Sequence, residues 1–375
     1  YLLNYLKTMK NFLKINDSVI NKKIQKRINN VISHGLFILG PEVKELEKKL
    51  SKFTKSKYCL TVSSGTDALL ISLMALGINK GDEIITSPFS WISSIETITF
   101  LGAKPVFVDI NPQTFNIDEK KISKLITKKT KGIMAVSIFG QCSDMDKINK
   151  IAKIYNLPVI EDAAQSFGSK YKDRKSCNLS TIGCTSFFPT KPLGAFGDAG
   201  ACFTNDKKLY EKMIAIRNHG QKNTRYNYEY IGINGRMDTL QAAVLIEKLR
   251  NFNKIAKKRN HIGNYYNKLL SKYNFIKTPK ISKYNWSVYA QYTIQVRNRD
   301  LIKKKLFDLG IPTFIFYPYS LNKVKYLDNV KKDLPIVNKI CKNVLSLPMN
   351  IYLTKADQKI IINNLIDVCQ QIENQ

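Results

Sequence analysis

Leu157-Pro158-Val159-Ile160-Glu161-Asp162-Ala163-Ala164-Gln165 is a short apolar run that stops at two adjacent carboxylates. A strand that is apolar throughout is buried on both faces, as in a parallel sheet covered by helices. Such sheets bind ligands beyond the carboxyl ends of their strands. The two carboxylates therefore stand at a ligand crevice, and alternation along the strand favours Asp162 over Glu161 as the one that faces it. The same pattern repeats outward. Strands are expected over Tyr58–Val62, Glu83–Thr86, Pro105–Asp109, Gly132–Ser137 and Gly200–Thr204. Helical spacing fills the intervals at Asp67–Leu76, Trp91–Leu101, Asp144–Tyr155 and Lys207–Asn218. Alternating strands and helices predict an α/β fold around a mostly parallel sheet.

The flanks read differently. Helical spacing runs from Asp17 to Ile32 and from Pro41 to Phe53. After Asp238 a long helical pattern extends to Tyr273, followed by a strand over Trp286–Val296. Helices are then expected over Arg299–Leu309, Ile336–Leu345 and Lys355–Ile372. That succession predicts a smaller C-terminal α+β domain, with the long helix as its connector. Residues 1–16 alternate apolar and basic residues and lack a signal-peptide core, so Met9 is a candidate start.

At 375 residues the length suggests two domains, or one large domain with an appendage. With 44% apolar and 24% charged residues, the composition excludes a disordered chain. No apolar run is long enough to predict a membrane span. A net charge of +31 would normally point to nucleic acid, but the lysines are spread over the whole chain without a basic block. Nucleic acid is therefore not expected as a partner. Arginine is scarce: there are nine, and Arg217, Arg225 and Arg236 lie close together. Lysine cannot reproduce arginine's planar two-pronged grip, so this cluster is a candidate anion site. The seven cysteines form no CxxC pair and the three histidines are isolated. The expectation is no metal site, and free buried thiols in a reducing cytoplasm.

Between Thr181 and Phe203 only Lys191 and Asp198 are charged. Lys191 sits in Ser186-Phe187-Phe188-Pro189-Thr190-Lys191-Pro192-Leu193-Gly194. Desolvation there would lower its pKa, as a Schiff-base amine requires. The competing reading is a stem that covers apolar surface while the head reaches water. Asp162 could hold the ring nitrogen of pyridoxal phosphate protonated, so that the ring serves as an electron sink; it could also simply cap a helix. Ser64-Gly65-Thr66-Asp67 opens a helix, where backbone N–H groups and the helix dipole suit a phosphate. Trp91 could stack on a cofactor ring or belong to the core.

In this order, these residues resemble the DegT/DnrJ family of nucleotide-sugar aminotransferases, pyridoxal phosphate enzymes of fold type I. The resemblance runs from Ile38-Leu39-Gly40-Pro41-Glu42-Val43 to the last helix. It is carried by Ser63-Ser64-Gly65-Thr66-Asp67-Ala68-Leu69, Gly140-Gln141, Gly197-Asp198-Ala199-Gly200, Arg217-Asn218-His219-Gly220 and Ile231-Gly232-Ile233-Asn234-Gly235-Arg236-Met237-Asp238. It implies a seven-stranded, mostly parallel sheet in a large cofactor-binding domain over 41–250. An N-terminal arm and helix over 1–40 and a small α+β domain over 251–375 complete the expected layout. Lys191 would bond to the cofactor and shuttle a proton, and Asp162 would pair with the ring nitrogen. Gln165 would lie near the phenolic oxygen. Gly65, Thr66 and Ser186 would hold the phosphate, with Asn234 arriving from the partner subunit of a homodimer. Trp91 takes the ring-stacking position.

For the substrate, Phe139-Gly140-Gln141-Cys142, Ser287-Val288-Tyr289-Ala290-Gln291-Tyr292-Thr293 and Tyr317-Pro318 with Leu321-Asn322-Lys323 look like one branch of the family. That branch aminates UDP-2-acetamido-2-deoxy-3-keto-glucuronate with L-glutamate, for surface polysaccharide synthesis. Arg236 would receive the sugar carboxylate, with Tyr317 and Asn322 also at the sugar. The alternatives are an aminotransferase of a neutral deoxysugar, 4-keto-6-deoxy or 3-keto, a dehydratase relative, and a non-catalytic regulatory relative or basic nucleic-acid binder. Lys191 argues against the dehydratase, where a histidine takes its place. Gly235, Tyr319-Ser320 and Val324-Lys325-Tyr326 depart from the usual pattern of the family.

Overall fold

The structure is a computed structural model that describes residues 21–222, 224, 226–330 and 333–373. The expectations for Met9 and for the start of the Asp17–Ile32 helix lie outside these residues. From Asn21 onward, a helix spans Lys22–His34, with the Asn21 side chain accepting from the N–H groups of Lys23 and Ile24. It ends at Gly35 in the left-handed region, φ 69°, where a residue without Cβ carries no steric penalty.

The first nine strands are β1 (Tyr58–Val62), β2 (Glu83–Thr86), β3 (Lys104–Phe107), β4 (Thr130–Val136), β5 (Val159–Asp162), the two-residue β6 (Lys170–Tyr171) and β7 (Arg174–Lys175), β8 (Ile182–Ser186) and β9 (Gly200–Thr204). Seven of them form the central sheet, in the order β1-β9-β8-β5-β4-β2-β3. β3, β2, β4, β5 and β8 pair in parallel, while β9 is antiparallel to both of its neighbours. This is the mostly parallel seven-stranded sheet that the resemblance implies. The apolar pattern misses β8, because Gly183, Thr185 and Ser186 interrupt it, yet all five of its residues are buried. Helices Gly65–Ala75, Ser93–Phe100, Met145–Ile154 and Lys207–Arg217 follow strands of this sheet. Helix Gly65–Ala75 is apolar nearly all round and packs directly on β8 and β9.

The long helix, Thr239–Leu270, packs its first half on helices Lys22–His34 and Pro41–Thr54. Arg27 joins them by pairing with Glu45 and Glu247. Its second half packs on the final helix, Lys355–Glu373, in a core with Tyr266, Tyr292, Leu345 and Leu365. Two sequence expectations need correction here. The single strand over Trp286–Val296 is two pieces, β10 (Asn285–Trp286) and β11 (Tyr292–Gln295), separated by a knuckle at Tyr289 with φ 45°. The helix expected over Ile336–Leu345 stops at Asn343, and Val344–Leu347 forms β12, antiparallel to β11. A helix over Arg299–Asp308 packs beside this pair.

Arg259 holds the knuckle. Fully buried, it donates to the carbonyls of Val288, Tyr289 and Ala290. With no carboxylate beside it among the described residues, burial lowers its pKa to about 10. All seven cysteines are buried and unpaired. Among the described residues, no helix is long and apolar enough to cross a membrane.

Candidate active site

β5 delivers Asp162 to the carboxyl edge of the sheet. Asp162 is buried and accepts from Ser94 Oγ at 2.8 Å and from the Ala164 N–H at 3.2 Å. Burial raises its pKa, while these two donors and the nearby Lys191 amine pull it back. Glu161 lies on the other face of the strand. Ser137 Oγ, Ser176 Oγ and the Cys177 N–H surround it at 2.8–3.0 Å, so its lone pairs are taken by the scaffold. Of the two carboxylates, Asp162 is the one that senses Lys191.

Lys191 belongs to a loop that bonds to itself. Its N–H reaches Phe188 O at 2.8 Å, and the Ala195 N–H reaches Phe187 O at 2.7 Å. The amine makes no hydrogen bond or ion pair among the described residues. Burial lowers its pKa, and the attraction of Asp162 opposes that shift. Lys191 is half-buried, and its amine feels both burial and the Asp162 carboxylate, so it is not a fully solvated charge.

The Ser63–Asp67 turn, expected to hold a phosphate, starts where β1 ends. Ser64 caps helix Gly65–Ala75 by accepting from the Asp67 N–H at 3.0 Å, and Ser63 and Ser64 both donate to Asp67. Capping and a phosphate cradle are therefore compatible here. A Cβ on Gly65 would lie 2.6 Å from Ser186 Cβ, so the two expected phosphate residues stand directly against each other. Thr66 Oγ1 lies 2.8 Å from Ser93 Oγ.

Gln165 bridges two elements. Its Oε1 accepts from the Phe139 N–H at 2.8 Å, and its Nε2 donates to Tyr317 Oη at 3.0 Å. Burial pushes the Tyr317 phenol well up. The Tyr317 ring packs on Phe89 at 5.8 Å and lies 6.4 Å from Trp91, which is 61% exposed. Asn322 is buried and accepts from Ser320 Oγ. The Leu321 N–H reaches Pro88 O at 2.8 Å, which ties this turn to the Trp91 loop.

Asn234 and Arg236 sit on a segment that meets the site from the side of the Ser63–Asp67 turn. Asn234 is exposed and bridges to Asn218. The next residue, Gly235, accepts from the Ser63 N–H at 2.9 Å, so the segment runs beside the phosphate turn of its own chain. Arg236 Nε is buried with no hydrogen-bond partner among the described residues. The expected cluster of three arginines is corrected at Arg217. That guanidinium is buried against Glu47 Oε1 at 3.0 Å and Thr61 O at 2.9 Å, so it serves the scaffold. Arg225 lies outside the described residues. Ser93 and Ser94 escaped sequence reasoning, because serine at a helix start reads as an ordinary cap.

A half-buried lysine that feels a buried carboxylate, at the carboxyl edge of a mostly parallel sheet and beside a serine-glycine turn that opens a helix, is an arrangement that suits a pyridoxal phosphate enzyme. Residues 18–366 match the DegT/DnrJ/EryC1/StrS aminotransferase family, and the chain belongs to it. It is 48% identical to the UDP-2-acetamido-2-deoxy-3-oxo-D-glucuronate aminotransferase of Pseudomonas aeruginosa, over 93% of this chain and 97% of that one. It is 37% identical to the dTDP-3-amino-3,6-dideoxy-alpha-D-galactopyranose transaminase of Aneurinibacillus thermoaerophilus, over 91% and 94%. Among solved structures it resembles NtdA from Bacillus subtilis with bound cofactor PMP, with TM-score 0.88, 33% identity, and coverage of 96% of this chain and 84% of that one. The chain is an aminotransferase and its cofactor is pyridoxal phosphate. The residues fit that group: a free amine at Lys191, a carboxylate without a cation in bonding contact at Asp162, and a cradle at Gly65 that a Cβ would fill.

Proposed function

We propose that this chain transfers the amino group of L-glutamate to C3 of UDP-2-acetamido-2-deoxy-3-keto-glucuronate, as a cytoplasmic homodimer with shared sites, in surface polysaccharide synthesis. Bound pyridoxal phosphate supplies an electron sink for the carbanion formed next to the migrating nitrogen. Lys191 anchors the cofactor and carries the proton to and from the substrate carbon. Asp162 holds the ring nitrogen protonated, and Gln165 lies at the phenolic oxygen. Gly65, Thr66 and Ser186 grip the phosphate, joined by Asn234 of the partner subunit. Trp91 covers the ring, and Tyr317 and Asn322 line the sugar side. The same reading divides the chain into an arm over 1–40, a large domain over 41–250 and a small one over 251–375.

The observation that carries the substrate is Arg236, whose Nε is buried and unpartnered in an arginine-poor chain. A buried guanidinium donor without an acceptor is a site for an anion, and a uronate brings one. The 48% identity to the Pseudomonas enzyme supports the same choice. Arg236→Lys should lower kcat/KM for the UDP-3-keto-uronate by roughly 10- to 100-fold, the range set by a hydrogen bond to a charged group, and spare neutral keto sugars. The two half-reactions are measured separately. If the glutamate half-reaction slows and sugar amination does not, Arg236 serves the donor, and the neutral 4-keto-6-deoxy sugar moves ahead.

A further inference from the structure

Helix Ser93–Phe100 begins with two serines whose hydroxyls meet two different parts of the site. Ser93 Oγ lies 2.8 Å from Thr66 Oγ1, and Ser94 Oγ donates to Asp162 Oδ2 at 2.8 Å. Successive residues on a helix point about 100° apart, so one rigid turn can address both targets. Behind Ser94 stands Ser90, whose Oγ is 2.7 Å from that of Ser94. Ser94 has one proton and gives it to Asp162, so the Ser90 hydroxyl must be the donor to Ser94. The three groups are buried, at 3% for Ser90, 1% for Ser94 and 6% for Asp162, so water does not compete for these bonds.

We infer that Ser93 and Ser94 are positioning residues of this aminotransferase: Ser94, backed by Ser90, keeps Asp162 ionised and aimed at the cofactor ring nitrogen, while Ser93 orients the Thr66 hydroxyl toward the cofactor phosphate. The inference rests on the reading of Asp162 as the ring-nitrogen partner and of Thr66 as a phosphate ligand. A hydroxyl donated to a carboxylate favours its charged form. The aligned chain Ser90 to Ser94 to Asp162 polarises in one direction and strengthens that effect. Without it, buried Asp162 takes the proton that it otherwise leaves on the ring nitrogen. The helix thus fixes the spacing between the two ends of the cofactor site.

The test uses holoenzyme loaded with 15N-labelled pyridoxal phosphate. The ring-nitrogen chemical shift reports protonation directly, and titration of apoprotein with cofactor gives Kd. Ser94→Ala should move the ring nitrogen toward its neutral form by roughly 10-fold in the population ratio, with Kd changed less than about 3-fold. Ser90→Ala should move it in the same direction by less. Ser93→Ala should weaken Kd by roughly 3- to 10-fold and leave the ring-nitrogen shift in place. If Ser94→Ala fails to fold, Ser90→Ala carries the test, since it leaves Ser94 in place. An unchanged ring-nitrogen shift in both Ser94→Ala and Ser90→Ala overturns the inference, as does a Ser93→Ala shift equal to that of Ser94→Ala. Asp162→Asn separates the layers. If that variant keeps the ring nitrogen protonated, the reading of Asp162 fails; if it deprotonates while the serine variants do not, the serine bracing alone fails.

Discussion

Asp162 holds a charge that its surroundings oppose. Even with Lys191 nearby, its folded pKa stands above the ordinary 3.8. A carboxyl whose pKa is raised on folding weakens the fold wherever it is ionised in the folded state, and that penalty vanishes below the unfolded value. Asp162→Asn should therefore melt no lower than wild type as apoprotein at neutral pH, and its advantage should disappear as pH falls below about 3.8. Turnover should move the other way, falling roughly 10²-fold or more, because a neutral amide cannot hold the ring nitrogen protonated. Calorimetry of apoprotein across pH, beside single-turnover kinetics, checks both. A lower melting temperature at neutral pH would show that Asp162 supports the fold. The sequence singled out Asp162 and Lys191 because one ends an apolar strand and the other stands in a loop with one other charge. It did not expose Ser94 or Ser90, since a serine hydroxyl gains its role only from what folding sets opposite it. Arg217 misled for the same reason: scarcity in the sequence does not reveal that Glu47 already pairs with it.

At the scale of elements, apolar runs announced β1, β2, β3, β4, β5 and β9, but the strand pattern fails wherever polar or small residues do structural work. β8 carries Gly183 where the Cys177 backbone leaves no room for a Cβ, and it sets Ser186 directly against Gly65. The split between β10 and β11 was hidden because Trp286–Val296 alternates evenly, whereas the knuckle at Tyr289 is imposed from outside by Arg259 of the long helix. The same helix makes room for the knuckle at Gly263, where a Cβ would lie 2.4 Å from the Tyr289 ring. Glycine inside a helix ordinarily gives up about 1 kcal/mol relative to alanine. Gly263→Ala should nevertheless lower stability by about 1–3 kcal/mol, because overpacking against a buried ring outweighs helix propensity. Urea unfolding measures this, and a gain in stability would mean that the Tyr289 knuckle yields readily. The knuckle lies against the site, since the Val288 N–H reaches Gly140 O at 3.2 Å and Gly140 adjoins Phe139, the donor to Gln165.

Across the whole molecule, several apolar side chains are left in water by a single chain. Phe37 is 48% exposed, Ile38 50% and Ile231 87%. Phe37 and Ile38 sit beside the start of the long helix: the Thr239 N–H reaches Phe37 O at 2.8 Å, and Ile38 bridges to Asp238. Asn234 and Arg236 lie in the same segment as Ile231. Exposed apolar residues near Asn234 and Arg236, proposed above as site residues, are what a two-fold partner would cover. Asn234 also runs beside the phosphate turn of its own chain, so geometry admits two assignments that a mixing experiment separates. If Asn234 serves the partner's site, each mixed dimer of Lys191→Ala and Asn234→Ala subunits contains one site with both residues intact and one with neither. Random exchange in a two-fold dimer makes half of the dimers mixed, each with one working site of two, so activity should return to about a quarter of the wild-type value. If Asn234 serves its own chain, every site in the mixed dimer lacks one of the two residues, and activity stays at the level of the separate variants. Subunit exchange is verified by native mass spectrometry of differently tagged chains before activity is read. Recovery near a quarter assigns the phosphate site to two chains. Its absence, with exchange verified, removes the shared site and leaves Asn234 as a ligand within its own subunit.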